Sequence, residues 1–291
     1  MPNRYFLLFE LIIYIQFALC FQHAWKQGSA NLLRLSSGIL FGVVLELATL
    51  RQLHAYNYGQ FLIMVLDVPL CIGVAWGCII YSSMEFSNAS TLPYWARPVL
   101  DGLLALNIDL ALDVVAIRFG FWDWGQGLKF QYFGVPYANF WAWFWVVFSF
   151  SLGYRLLAHR EAWVVKWLSP VLALVVGLGG VLGTNFIITF GIPFEDHMLL
   201  VAFTLFFALF MIITMRPRFY QTSVPKLVFW VPFLAHMYTL LAGLISGVIL
   251  DPPILLWIGL FMTGIGFYLH RPTVVNLMIS LWGIRKSQPR T

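Results

Sequence analysis

Apolar stretches close to the twenty or so residues that a membrane span needs recur along the whole chain. They fall near residues 4–21, 32–50, 59–82, 97–117, 138–158, 165–190, 197–215, 227–250 and 253–269. Pro, Gly and charged residues punctuate the gaps, as at Arg216-Pro217-Arg218 and Asp251-Pro252-Pro253. The pattern predicts an all-α, polytopic membrane helical bundle of nine transmembrane helices, or eight if the short last gap lies within one span. Residues 1–270 are expected to form a single transmembrane domain, followed by a basic cytoplasmic tail over 271–291.

Loop charge orients this bundle. Lys26, Arg34, Arg97, Arg155, Arg160, Lys166, Arg216, Arg218, Lys226, Arg271, Arg285, Lys286 and Arg290 fall on one side. Arg4, Arg51, Arg118 and Lys129 fall on the other. The positive-inside rule then places the N-terminus outside and the C-terminus in the cytoplasm. The first span runs into His23-Ala24-Trp25-Lys26 without a small-x-small cleavage pattern, so it reads as a retained helix.

Composition agrees. The chain is 61% hydrophobic and 10% charged, against roughly 25% charged in a soluble domain, so lipid must cover much of its surface. The net charge of +5 is spread over loops and forms no nucleic-acid patch. Cys20, Cys71 and Cys78 sit in apolar stretches without metal or disulfide spacing. The 13 Trp exceed what interfacial anchoring needs. Helix packing accounts for that surplus as readily as a site for a large conjugated apolar molecule does.

Ionisable groups inside spans are costly and are candidates for function. Glu10, Glu46, Asp67, Asp101, Asp109 and Asp113 all fall within the expected spans. Asp67 lies about 12 Å in from the outer end of the third span, at 1.5 Å per residue. Asp109 and Asp113 are one turn apart on one face of the fourth. All but Asp101 fall in the outer half. The loop over 118–137 opens on that side, and its Trp, Tyr and Asn around Gly-Val-Pro read as a structured cap over a cavity. A plainer account pairs Arg118 with Asp113 and leaves the aromatics as an interfacial belt. His236 and Asn185 could face the same cavity, although a lone membrane histidine is more often a packed, hydrogen-bonded group. Glu195, Asp196 and His197 look like a weak metal-ligand cluster, and a solvated loop explains them better.

The segment Glu46-Leu47-Ala48, Tyr58-Gly59, Asp67-Val68-Pro69-Leu70 and Trp76 resembles the first half of the carotenoid biosynthesis membrane protein family, which includes carotenoid hydratases. Asp109-x3-Asp113-Val-Val-Ala116, Gly120-x-Trp122-x-Trp124, Tyr132-Phe-Gly134-Val-Pro136 and Asn139-Phe140 carry the resemblance further, over roughly residues 38–145. It implies a membrane enzyme, in a bacterial or archaeal cytoplasmic membrane, that adds water to the terminal double bond of a lipid-dissolved acyclic carotenoid, with no cofactor and no metal. Other membrane enzymes of the pathway are implied as partners.

The chemistry suits the residues. Protonating such an alkene gives a tertiary cation, which needs an acid in a dry pocket and aromatic faces to stabilise the charge. Asp109 or Asp113 is the expected proton donor, with Glu46 or Asp67 orienting water. Trp122, Trp124, Tyr132 and Trp143 would line the end of the polyene slot, and Asn139 could bond the water or the product hydroxyl. Two rival classes remain at this point. Asn107-x-Asp109-x3-Asp113 faintly resembles the Asp-rich helix of membrane prenyltransferases, but a second such helix is missing from the sequence. A proton-coupled transporter or a carotenoid-binding scaffold would also bury acids.

Overall fold

A computed structural model of the chain describes residues 3–53, 56–219 and 224–275. Among these, nine α-helices follow in order: α1 (Arg4–Gln27), α2 (Ser29–Leu53), α3 (Leu70–Asn88), α4 (Arg97–Phe119), α5 (Tyr137–Arg155), α6 (Ala162–Phe186), α7 (His197–Met215), α8 (Lys226–Ser246) and α9 (Ile254–Leu269). Four two-residue strands sit between them: β1 (Asn57–Tyr58), β2 (Met64–Val65), β3 (Val68–Pro69) and β4 (Trp122–Asp123). β1 pairs antiparallel with β4, setting Tyr58 opposite Trp122, and β2 pairs antiparallel with β3.

Local chemistry sets the helix ends. Asn3 caps α1 by accepting the backbone N–H of Tyr5 at 2.9 Å and of Phe6 at 3.2 Å. Pro69, Pro136 and Pro225 stand just before α3, α5 and α8, where a missing N–H breaks no helical hydrogen bond. Gly120, at φ 75°, lets the chain leave α4 in a left-handed turn.

Helix α3 is the axis of the bundle, buried along nearly its whole length against α1, α2, α4 and α8. Its approach to α2 depends on two pairs of glycines at four-residue spacing, Gly38 and Gly42 facing Gly73 and Gly77. A Cβ at Gly42 would sit 2.6 Å from the Cβ of Trp76, so any larger residue pushes the helices apart. That close contact brings Glu46, one turn beyond Gly42, against the Trp76 ring. Helix α7 is peripheral and exposes Leu199, Phe203, Phe206 and Phe210, a surface that suits lipid.

The chain is thus an all-α bundle, in which α1, α2, α3, α6, α7 and α8 are long and apolar enough to cross a membrane. α4 falls outside that set because it carries Arg97, Asp101, Asp109, Asp113 and Arg118, and α9 because it has only 16 residues.

Three sequence expectations change. The apolar run over 59–82 is not one span: residues 57–69 form short strands, and α3 begins only at Leu70. Asp67-Val68-Pro69 is the cause, because Pro69 has no N–H and the Leu70 N–H turns back onto the Ile63 carbonyl at 2.9 Å. Asp67 therefore lies at an exposed hairpin turn and not inside a span. Glu10, buried in α1, accepts the backbone N–H of Leu62 and anchors that hairpin. Arg34 and Arg155, counted above among loop charges, are buried and ion-paired with Glu85 and Asp101. Most of the basic tail expected over 271–291 lies outside the described residues, which end at 275.

Candidate active site

A cavity of about 650 Å³ opens at the end of the bundle where α4 gives way to the loop over 120–136. Phe9, Leu45, Ile79, Leu112 and Val146 make most of its wall apolar. The loop is held in place as a structured cap. Arg118 donates to the carbonyls of Val114 at 2.6 Å, Phe133 at 3.0 Å and Asp251 at 3.2 Å, which ties α4, the loop and the start of α9 together. Arg118 is spent on carbonyls, so the expected alternative of an Arg118–Asp113 pair is not what forms. Gly134, at φ 101°, closes a tight turn in which Tyr132 and Val135 exchange backbone hydrogen bonds at 3.0 and 2.9 Å.

Two carboxyl clusters meet this cavity, and they are built differently. Asp109 and Asp113 are both fully buried on one face of α4. Pro136 starts α5 so that Asn139, three residues on, points its amide at both. The Asn139 Nδ2 donates to Asp113 Oδ2 at 2.6 Å and to Asp109 Oδ2 at 3.2 Å. Asp113 Oδ1 is buried without a partner, and Asp113 lines the cavity, whereas Asp109 stands behind it. Among the described residues the ion pairs are Arg34–Glu85 and Arg155–Asp101, so no cation answers this acid pair.

Glu46 lies elsewhere on the wall and accepts from three donors. It accepts the Tyr58 hydroxyl at 2.7 Å, the Trp76 Nε1–H at 2.7 Å and the Tyr56 hydroxyl. Burial and the adjacent Glu46 carboxylate push both tyrosines well above their ordinary pKa, so they stay protonated donors. A carboxylate offers about four lone-pair positions, which leaves Glu46 roughly one more.

Aromatic rings complete the wall. Trp76 and Trp143 lie 4.4 Å apart, Trp124 meets Tyr56 edge-on at 4.7 Å, and Trp122 meets Tyr58 edge-on at 6.2 Å. Of the sequence-expected residues, the fold brings Glu46, Asp113, Trp122, Trp124, Asn139 and Trp143 to one cavity, with Asp109 immediately behind. Two do not join them. Tyr132 turns away and donates to the Leu110 carbonyl at 3.3 Å, packing edge-on against Phe140, because the Gly134 turn reverses the chain there. Burial, with Asp109 nearby, pushes its hydroxyl up to about 12. Asp67 stays on its exposed hairpin. His236 pairs with Asn107 at 3.0 Å, outside the cavity, while Asn185 does line it. Glu195 and Asp196 are exposed and His197 turns inward, which separates the three. Among the described residues no three His, Cys, Asp or Glu side chains gather as a metal would require.

A family model described as carotenoid biosynthesis protein matches residues 5–212, which takes in α1 to α6, most of α7, both acid clusters and the capping loop. The chain belongs to that family. No curated protein and no solved structure matches it. As a carotenoid biosynthesis protein, it presents its acids to a space walled by Trp, Tyr and Phe, the surroundings in which a hydrocarbon polyene is soluble.

Tyr56, Tyr58 and Trp76 carry the site as much as any residue that sequence reasoning assigned. Tyr58 and Trp76 fall within the family resemblance, but nothing along the chain signals that three donors from two segments converge on Glu46.

Proposed function

We propose that this protein is a cofactor-independent carotenoid hydratase, adding water to the terminal carbon–carbon double bond of an acyclic carotenoid such as lycopene or a bacterioruberin precursor. The observation that carries the reading is Asp113: a buried carboxyl, answered by an amide and by no cation among the described residues, that lines an aromatic cavity in a chain of the carotenoid biosynthesis family. The acid form of Asp113 gives its proton to the less substituted alkene carbon, and the neighbouring carbon becomes a tertiary cation. Rings of Trp143, Trp122 and Trp124 stabilise that charge through their faces. A water held by the remaining lone pair of Glu46 attacks the cation, and its released proton returns to the Asp109–Asp113 pair. One alkene and one water become one tertiary alcohol, so the balance needs no redox partner.

In this reading all nine helices span the cytoplasmic membrane, with the N-terminus outside and the cavity in the outer half. The substrate arrives dissolved in lipid, from other membrane enzymes of the pathway. The test is expression in a host that accumulates an acyclic carotenoid, with the extracted pigment weighed by mass spectrometry. A gain of one water that is lost in Asp113→Asn supports the reading. Pigment bound to the purified protein but recovered unaltered would replace it with a binding scaffold.

A further inference from the structure

The exposed part of the cavity wall is confined to one edge. Among the described residues that line the cavity, the exposed ones are Gln126, Thr189, Phe190 and Phe194. Gln126 lies on the capping loop, and the other three lie in the turn that joins α6 to α7. The mouth is therefore a gap between these two segments. Across it the Phe130 and Phe194 rings meet at 5.6 Å, and Phe194 rests in turn against the His197 ring at 5.4 Å. His197 holds the bend, its Nε2 lying 3.3 Å from the Ile192 carbonyl.

The rim is apolar where it meets the surface. Phe190 is 66% and Phe194 55% exposed. They lie at the end and the start of Ala162–Gly191 and Phe194–Met215, two segments long and apolar enough to cross a membrane. An aromatic rim on such segments meets lipid in preference to water. Both rims are built from turns. Ile187–Gly191 is a π-turn, a local widening of the helix that recurs at functional sites. On the capping loop Gly125 and Gly127 take φ 67° and 76°, and a Cβ at either would meet nothing within 4 Å. A single ring contact is a weak closure between two such segments. We propose that Phe130 and Phe194 form a lateral gate, through which a lipid-dissolved polyene enters the cavity end-first from the bilayer. A linear hydrocarbon already lying among acyl chains then reaches the acids without crossing water. The gate rests on the hydratase reading only in taking the ligand to be an acyclic polyene.

Uptake kinetics test it. The full chain carrying Phe130→Cys and Phe194→Cys, in lipid nanodiscs, is bridged with a bifunctional methanethiosulfonate. Uptake of an acyclic carotene from vesicles is then followed by quenching of Trp fluorescence. Bridging before loading should abolish uptake, and cleaving the bridge with a phosphine should restore it. Bridging after loading should instead trap the pigment against extraction by empty vesicles. Each single-cysteine variant, treated alike, controls for modification of one rim, since Cys20, Cys71 and Cys78 are buried. Phe194→Ala removes the ring contact and should speed uptake and release together by about threefold, because a gate alters both rates and leaves affinity unchanged. Uptake at the unbridged rate while the bridge is in place overturns the gate and leaves the hydratase reading standing. A change of affinity in Phe194→Ala with uptake unchanged also overturns it, because the ring would then belong to the binding wall. Uptake blocked by the bridge and restored on cleavage sustains the gate even if the pigment is never hydrated.

Discussion

In the first half of α4, Asp101 faces a guanidinium; two to three turns later on the same helix, Asp109 and Asp113 face an amide. Arg155 Nη2 reaches Asp101 Oδ2 at 3.1 Å, Ser151 donates to the same oxygen, and Arg155 also bonds Ser87 and Asn88. Asp101 is fully buried, and although its Oδ1 makes no hydrogen bond, its Oδ2 is met by both a guanidinium and a hydroxyl, away from the cavity. The other pair has one neutral Asn139 between two carboxyls, and Asp113, whose Oδ1 is likewise unpartnered, lines the cavity. A buried acid matched by a cation is a structural clamp; a buried acid given only an amide, beside a cavity, is placed for proton chemistry. In the proposed hydratase, the difference separates the acids that hold the bundle from the acids that act.

The sharpest way to break this comparison is at Asp113. Asp113→Asn should lower hydroxycarotenoid formation by about 10²–10⁴-fold, the usual worth of a positioned general acid. The protein should remain as stable as wild type or become slightly more so, because the amide replaces a buried acid that no cation answers. Thermal melting alongside initial rates measures both. Full activity in Asp113→Asn would remove it as the donor and equate the two halves of α4.

Arg155 should show the opposite profile. Arg155→Met leaves Asp101 buried and uncompensated, at a cost of about 3–5 kcal/mol in stability. Adding Asp101→Asn in the same chain removes the stranded charge and should restore most of that loss. Turnover per folded molecule should stay near wild type throughout. A double variant no more stable than Arg155→Met alone would show that the two residues do not form a pair.

Glu46 lies between these extremes, a carboxylate answered by three neutral donors. Glu46→Gln keeps the shape but presents N–H groups to hydroxyls that now donate, so the Tyr56 and Tyr58 positions should loosen. A fall in rate of about tenfold is expected, near 1.4 kcal/mol in the barrier. An unchanged rate would take Glu46 out of the water site and leave it a brace between α2 and α3.

Much of this arrangement was legible in the sequence, and the failures have physical causes. Spans over 97–117, 138–158, 197–215 and 253–269 match α4, α5, α7 and α9 closely, because Gly, Pro and charge mark their ends. Asp109 and Asp113 could be paired from helical spacing alone, and the capping loop from its Gly-Val-Pro turn. The third span failed because Leu62 to Leu66 is apolar yet lies on an exposed hairpin, and hydropathy does not tell such a ribbon from a buried helix. The partners of Glu46 were illegible for another reason. Tyr56 and Tyr58 lie ten and twelve residues on, and Trp76 thirty, and only the glycine contact between α2 and α3 brings Trp76 within reach.

Tyr132 tests the same distinction at its smallest scale. The family string places it beside Gly134 and Pro136, and sequence alone gives it a place on the polyene slot. In the fold its hydroxyl instead ties the loop to the Leu110 carbonyl of α4, one residue past Asp109, on the side away from the cavity. Tyr132→Phe should therefore cost only the net worth of one weak hydrogen bond, about 0.5–1.5 kcal/mol of stability, and leave hydration within twofold of wild type. Melting temperature and initial rate read the two quantities separately. A rate loss approaching that of Glu46→Gln, with stability unchanged, would mean that the loop turns in the working enzyme and that Tyr132 reaches the substrate after all.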